Sequence, residues 1–358
     1  MKILITGVGG PTPRSFAIAL KKYSFYKRFE LIGTDVNPLA IGLYQNELFN
    51  KTYVVPRASD SNYWNVMESI LVENSIDIAI ILPELEVMEW SKRKETRTLP
   101  CKALIPDISM AELLVDKSKM TEILKDLDIV PPSVTFSRDI ENLKEVFEVL
   151  KGDFWVRSTS GTSGLGSLKV KDEDSLKNWI QINPNVEQFI ASKFLSGRNL
   201  ACKMLYFNGN LLRTACAERV NYIMAKVAPS GITGNTSFGR LLNEPSLISE
   251  AKRAMDYLFQ FTGAKQHGFF TVDFKEDENG KPYITEINVR HVAFTQCFAA
   301  GGANFASDTV RLLNDDPTFE NQYKMYEFEK DLIFLRDVDS IPILMKEGEL
   351  LKGIFNAK

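Results

Sequence analysis

Apolar runs of strand length alternate with amphipathic stretches over the first hundred residues. Residues 2–6 form an apolar strand that runs into Gly7-Val8-Gly9-Gly10-Pro11. Residues 14–22 then read as a helix, and residues 30–34 as a second strand ending at Asp35. A helix is expected over 62–73 and a buried, parallel-type strand over 76–82, with 103–105 closing the sheet. Strand, helix and strand in this order predict a doubly wound α/β unit. Its end is expected near residue 110.

The pattern changes after that point. Residues 109–127 read as one helix containing Asp116-Lys117, stopped by Pro131-Pro132. Residues 139–150 carry Ile140, Leu143, Val146, Phe147 and Leu150 on one helical stripe. Phe154-Trp155-Val156-Arg157 is a strand bearing one charge, and 168–170 returns from a Gly/Ser/Thr-rich tip. A short helix is expected over 176–180, with strands over 187–194, 201–207 and 211–219. Asn208-Gly209-Asn210 is a hairpin turn. Residues 229–239 read as a loop, and Ser246 as the cap of a helix to Phe261. Residues 299–304 read as a turn, 305–313 as a helix and 332–335 as a strand at a sheet edge.

The most informative stretch is 268–290. Residues 269–274 and 283–289 are β-rich, and Asp277-Glu278-Asn279-Gly280-Lys281-Pro282 is a turn between them. Glu286 and Asn288 are two apart, so they leave the same face, and Arg290 continues the row. Asp273 stands on the other strand. Hard oxygen ligands in this arrangement suit Mg²⁺, and an adjacent Arg suits an anion shared with it. A solvated hairpin face is the competing reading.

Composition narrows the classes. The chain has 358 residues, enough for two or three packed units, with 44% hydrophobic and 25% charged residues, as in a globular protein. A net charge of −3 argues against nucleic acid as a partner. No apolar run reaches transmembrane length, so no membrane partner is expected. Cys101, Cys202, Cys216 and Cys297 are far apart and only two histidines occur, which excludes the usual zinc patterns and points to a reducing cytoplasm.

Two loops carry further candidate chemistry. Gly7 to Gly10 with Asp35 offers a dinucleotide site, but Thr12 holds the place of the third glycine. A tight turn, or a helix N-terminus facing an anionic substrate, are the alternatives. The loop from Ser158 to Ser167 lies between two strands and lacks G-K-[ST], so it is not a P-loop. Its backbone N–H groups and hydroxyls are suited to covering phosphates. Glu84 and Glu86, at the carboxyl end of the 76–82 strand, are candidates to meet a substrate amine or to serve as first-turn helix carboxylates.

An α/β unit, a Lys-bearing helix, a strand with Arg157, a glycine-rich hairpin, Leu195-Ser196-Gly197, and Asp273 thirteen residues before Glu286-Ile287-Asn288-Val289-Arg290 follow one another in this chain. This order resembles the ATP-grasp superfamily, which includes biotin carboxylase, D-alanine–D-alanine ligase and carbamoyl phosphate synthetase. The resemblance spans roughly residues 1–335. It implies a Rossmann-like parallel-sheet pre-ATP-grasp domain (1–110), a small lid subdomain (111–195) and a C-terminal subdomain with the metal hairpin (196–358), the latter two α+β.

The resemblance also implies roles. Lys117 and Arg157 would contact ATP phosphates, and Ser160, Gly161, Thr162, Ser163 and Gly164 would close over them. Ser192, Lys193, Phe194 and Leu195 would meet the adenine edge, and Asn199 the ribose. Asp273, Glu286 and Asn288 would hold one or two Mg²⁺ ions, with Mn²⁺ as a substitute. Arg290, with Arg157, would serve catalysis; Glu84, Arg219 and His291 would face the substrate. The implied partners are a small-molecule carboxylate and an amine, and a homodimer is an assembly compatible with this reading. The chain departs from the pattern in three ways: Arg157 stands where many members carry Lys, though the carbamoyl phosphate synthetase group carries Arg; Lys193 stands where an acid is common; and Asn199 stands where a Glu often holds the ribose. Lys203, in a place often acidic, is either a substrate-specific feature or part of a surface strand. A nicotinamide-dependent oxidoreductase and a catalytically silent nucleotide-binding protein remain the competing functions.

Overall fold

The computed structural model describes residues 1–140, 142–159, 167–227, 231–337 and 343–349, with the side chain of residue 343 excluded. Three sheets divide the chain. The first is parallel, in the order β3-β2-β1-β4-β5. It is built from β1 (Lys2–Thr6), β2 (Glu30–Asp35), β3 (Lys51–Val54), β4 (Ile78–Ile80) and β5 (Lys102–Ala103). Helices α1 (Pro11–Tyr23), α2 (Tyr63–Glu73) and α3 (Glu84–Thr96) connect these strands. Gly7 turns at φ +68°, and a Cβ there would lie 2.5 Å from the Pro83 ring, so only glycine fits.

The stretch read as one helix over 109–127 is two. α4 (Ile108–Val115) ends at Asp116, whose carboxylate caps α5 (Lys117–Leu124) by accepting from the backbone of Ser118 and Lys119. An Asp favours this extended cap position over a helix interior, which breaks the run. The second sheet follows, in the order β6-β9-β7-β8. It contains β6 (Ser133–Ser137), β7 (Phe154–Ser158), β8 (Leu168–Val170) and β9 (Gln188–Lys193). α6 (Lys144–Leu150) is shorter than the stripe from 139 predicts, because the Ser137 carbonyl accepts from Ile140 in a turn. α7 (Glu173–Ile182) is longer than expected, capped by Asp172.

The third sheet runs β14-β13-β10-β11-β12-β16-β17, with β15 beside β11. Its strands are β10 (Asn199–Phe207), β11 (Asn210–Tyr222), β12 (Thr236–Leu242), β13 (Gly268–Glu276), β14 (Pro282–Asn288), β15 (Lys324–Met325), β16 (Leu332–Leu335) and β17 (Ile343–Lys346). β12 replaces part of the loop expected over 229–239, and β17 covers β16, so 332–335 is not the edge. α8 (Pro245–Thr262) begins one residue before Ser246, after Glu244, with proline in its first turn and no side-chain cap. α9 (Thr295–Ala300) and α10 (Phe305–Leu313) complete the chain's helices among the described residues. None of them is long and apolar enough to cross a membrane.

One face of the third sheet, with Leu200, Cys202, Phe270, Val272 and Ile287, packs on Leu247, Ala251 and Met255 of α8. The other face carries Ala201, Leu205, Ala215 and Phe269 over Phe298 and Phe305. It turns polar toward one end, and that end is the site.

In the parallel-sheet unit, Glu86 is 3% exposed and accepts from the Tyr63 hydroxyl at 3.0 Å. Trp90 Nε1 donates to that same hydroxyl at 3.0 Å. Burial pushes the Glu86 carboxyl up to about 7. An acid raised in the folded state stabilises the fold at low pH and loses that contribution as pH rises through its folded value. Denaturant unfolding should therefore give a stability that falls between about pH 5 and pH 8. Glu86→Gln should flatten this slope and gain on the order of 2 kcal/mol at pH 8. A wild-type-minus-variant difference that is equal at both pH values would contradict the assignment.

Candidate functional site

The register of β13 on β14 sets the centre of the site. Asp273 stands directly opposite Glu286, and Thr271 opposite Asn288. One residue further the register shifts: Phe274 faces Ile284, so Thr285 is the extra residue of a bulge. The Thr285 carbonyl accepts from Arg157 Nη2 of β7, which ties the second sheet to the hairpin. On the other side Asp273 faces Ala201 of β10, and Ala201 faces Ala217 of β11. Small side chains therefore stand next to the paired carboxylates.

Asp273, Glu286, Asn288, Thr285 and Arg157 line a cleft of about 720 Å³ between the three sheets. Lys117, Arg157, Ser192, Lys193, Phe194, Leu195, Asn199, Arg219, Asp273, Glu286, Asn288 and Arg290 all reach it. Lys117, the first residue of α5, places Nζ 3.5 Å from Glu286 Oε1. Arg219 Nη2 donates to Asp273 Oδ1, and Asn288 Nδ2 donates to Asp273 Oδ2 at 3.3 Å. Burial, reinforced by Glu286, pushes the Asp273 carboxyl up to about 6 against the opposing pull of Arg219 and Arg290. Burial likewise lowers Arg157, with Glu286 and Asp273 acting the other way.

Two paired carboxylates and an amide give hard oxygen donors on one strand pair, which fits Mg²⁺ or Mn²⁺. Among the described residues no group of three or more His, Cys, Asp or Glu side chains forms a metal cluster. The third donor here is an amide, so this set falls outside that pattern.

Other expectations fare differently. His291 does not line the cleft. It is 4% exposed, stacked on Phe269 with ring centroids 3.5 Å apart and edge-on to Phe16. Burial drives its pKa well down, so the ring stays neutral inside the core. Glu84 is also absent from the lining, although it feels the charges of Arg290 and Lys117, and burial raises its pKa. Ser160, Gly161, Thr162, Ser163 and Gly164 lie outside the described residues. Asp35 is spent on the glycine turn: its two oxygens accept from Gly9 N at 2.7 Å and Asn37 N at 2.9 Å. The turn itself, through Gly7 and Gly10, opens into the same cleft as Asp273.

Trp155, Lys275 and Tyr222 line the cleft and were not singled out from the sequence. The signal for the first two was present, since each lies two residues from Arg157 or Asp273 and so shares its face. Lys203 is not on a surface strand. It is fully buried, and its Nζ donates to Thr295 Oγ1 at 3.1 Å. The same Nζ lies 5.0 Å and 4.5 Å from the ring centroids of Phe294 and Phe298. Burial lowers its pKa well below the usual lysine value.

No family model matches the chain, and no curated protein matches its sequence. Solved structures do match its fold. N5-carboxyaminoimidazole synthetase from Staphylococcus aureus, complexed with ADP, superposes with a TM-score of 0.68 at 17% identity, over 93% of this chain and 81% of that one. L-amino acid ligase from Bacillus licheniformis gives 0.65 at 16%, over 93% and 78%. The biotin carboxylase domain of Hydrogenobacter thermophilus 2-oxoglutarate carboxylase, a dimer in complex with MgADP, ADP and bicarbonate, gives 0.69 at 14%, over 94% and 74%. The chain has the ATP-grasp fold, preceded by a parallel-sheet unit.

Lys203 is a buried cation with one neutral hydrogen-bond partner among the described residues, while Thr295 Oγ1 has its own acceptor in the Val292 carbonyl at 2.8 Å. Replacing such a cation by an apolar side chain of similar length removes a desolvation cost. Lys203→Met should leave stability to urea unchanged or raise it by about 1 kcal/mol. A loss of more than about 3 kcal/mol would show that the ammonium holds the core together.

Proposed function

We propose that this chain is an ATP- and Mg²⁺-dependent ligase. It activates a carboxylate as an acyl phosphate and passes the acyl group to an amine, releasing ADP and phosphate. The observation that carries this reading is the convergence of Asp273, Glu286 and Asn288 with Lys117, Arg157 and Arg290 in one cleft.

Phosphoryl transfer asks the protein for positioning and charge neutralisation more than for covalent chemistry. Lys117 and Arg157 approach from the second-sheet side and supply positive charge for the triphosphate. Ser192 to Leu195 offer the edge of β9 and the segment after it to the adenine. Asn199, at the start of β10, hydrogen-bonds the ribose with an amide in place of a carboxylate. Asp273, Glu286 and Asn288 hold the divalent ion, which screens charge on the phosphates when bound. Arg290 continues the row of Glu286 and Asn288 and stabilises the transferred phosphoryl group. The substrate carboxylate attacks the γ-phosphorus, and the amine then displaces phosphate from the acyl carbon. Walls from all three sheets keep water from the acyl phosphate. No serine or histidine nucleophile is required, which agrees with the burial of His291.

Three sheet units around one cleft support 1–110, 111–195 and 196–358 as the domain divisions. The ligands are small molecules, and a soluble cytoplasmic enzyme is the matching setting.

Thermal shift should show stabilisation by MgADP or MgATP and none by NAD(P)H. Stabilisation by NAD(P)H alone would overturn the reading in favour of an oxidoreductase. With an acid–amine pair that supports turnover, Glu286→Ala should bring ADP release to background while the far-ultraviolet circular dichroism is unchanged. Arg290→Ala should lower kcat by about 10²–10³-fold with a smaller change in the KM for ATP.

A further inference from the structure

The wall that the parallel-sheet unit gives to the cleft differs from the other walls. Every Lys, Arg, Asp and Glu among the described lining residues lies between positions 117 and 290. The parallel-sheet unit contributes Pro11, Pro13, Leu82 and Pro83 with Gly7, Gly10 and Thr12, and none of these is ionisable. Val292 and Ala293, just beyond Arg290, also line the cleft.

These pieces form one surface. A Cβ on Gly7 would stand 2.5 Å from the Pro83 ring, so the glycine turn lies against that proline. Gly10 N donates to the Gly7 carbonyl at 2.9 Å. Ser15 Oγ of α1 accepts from the backbone N–H of Gln296 at 2.8 Å, and the Phe16 ring meets His291 edge-on at 4.9 Å. The start of α1 is thereby fixed beside the segment that carries Val292 and Ala293.

A glycine turn opening into a helix is ordinarily an anion site, because the first backbone N–H groups of the helix have no partner within it. Here Pro11 is the first residue of α1 and Pro13 the third. Proline has no N–H, so two of the first three donors are missing and ring carbons stand in their place. The cap, Gly10, has no side chain to add a donor. Arg14 does not line the cleft, and its Nε donates back to the Gly10 carbonyl at 3.2 Å. A charged group brought to this wall would lose water and gain few partners, whereas an apolar group gains from burial.

We propose that the acid activated in this cleft carries an uncharged, apolar side chain. That side chain packs on the wall formed by Pro11, Pro13, Leu82, Pro83, Val292 and Ala293. That an acid lies here rests on the ligase reading, in which the carboxylate receives the phosphoryl group beside Arg290; the character of the wall does not.

The test is calorimetric titration of the full chain with MgADP present, using two pairs of similar shape: 4-methylpentanoate against succinate, and leucine against aspartate. In each pair an isopropyl group takes the place of a carboxylate. The apolar member should bind at least about tenfold tighter. The double variant Pro11→Ala/Pro13→Ala returns two N–H donors and removes two rings. It should shrink that preference about tenfold, by tightening succinate and weakening 4-methylpentanoate. Equal affinities within a pair, tighter binding of the charged member, binding of none of the four probes, or a double variant that keeps the full preference would overturn the proposal. MgADP titrated first into each protein separates the two readings. Its failure to bind the wild type counts against the ligase reading, while the preference within each pair still decides the wall. If the double variant loses MgADP, Val292→Thr decides in its place: its added hydroxyl should weaken 4-methylpentanoate about threefold or more, and undiminished binding would overturn the proposal.

Discussion

Two carboxylates stand directly opposite each other on one antiparallel strand pair, and like charges in that position repel. The repulsion is sharpened by burial, because Asp273 is 9% exposed and has little water to screen it. Much of the surrounding structure answers this one constraint. Arg219 from β11 occupies one oxygen of Asp273, and the Asn288 amide reaches the other. Lys117 from α5 stands against Glu286. Arg157 arrives from a different sheet and is fastened to the bulge carbonyl at Thr285 rather than to either carboxylate. A bulge there serves two ends. It leaves Asp273 and Glu286 in register, and it supplies an acceptor that holds a guanidinium close by without consuming a carboxylate oxygen.

The hairpin was legible because its evidence is local. The turn at 277–282 and the two-residue spacing of Glu286 and Asn288 are properties of neighbouring residues, and the face they share follows from the strand period. Most of the first parallel unit was legible for the same reason, since β1, β2, β4, β5, α1 and α2 announce themselves within a dozen residues, whereas β3 and the length of α3 do not. Features that depend on distant partners were not. Lys203 sits in an apolar run, and alternation alone does not say whether its face is wet. Only the pairing of β10 with β13 and the packing of α9 show that it is dry. The bulge at Thr285 is likewise a property of the pair, not of either strand.

His291 and Asp116 show where local reasoning misleads. His291 follows Arg290, and proximity in sequence suggested proximity to the chemistry. Beyond the end of β14 the chain turns the next side chain inward, between Phe269 and Phe16, where a neutral imidazole is an aromatic packing element. Asp116 was placed inside a helix because its neighbours favour one. Its side chain instead accepts from the next turn's N–H groups, and that cap places Lys117 at the start of α5 rather than in its middle. The correction matters for the site. The Lys117 backbone N–H donates to the Thr159 carbonyl, so the same residue connects the cleft carboxylate to the end of β7.

Strand pairing also explains how one sheet face serves as both site and core. Across β13, β10 and β11 the registered rows run Lys275, Asn199, Arg219; then Asp273, Ala201, Ala217; then Thr271, Lys203, Ala215. Below them Phe269 pairs with Leu205. Polarity therefore falls along the strands in steps of two residues, from charged groups at the cleft to aromatics over α9 and α10. The alanines next to Asp273 are the step that makes the transition workable. A larger side chain at Ala201 or Ala217 would fill the space beside the carboxylate that the Arg219 guanidinium reaches across. Lys203 lies one row deeper, inside the apolar layer, where its ammonium rests on Phe294 and Phe298 and donates to Thr295. Thr295 in turn donates to the carbonyl of Val292, a residue of the cleft wall. The wall beyond Arg290 is thus anchored from beneath by a chain of hydrogen bonds that begins in the core, which couples the shape of the cleft to the packing of α9.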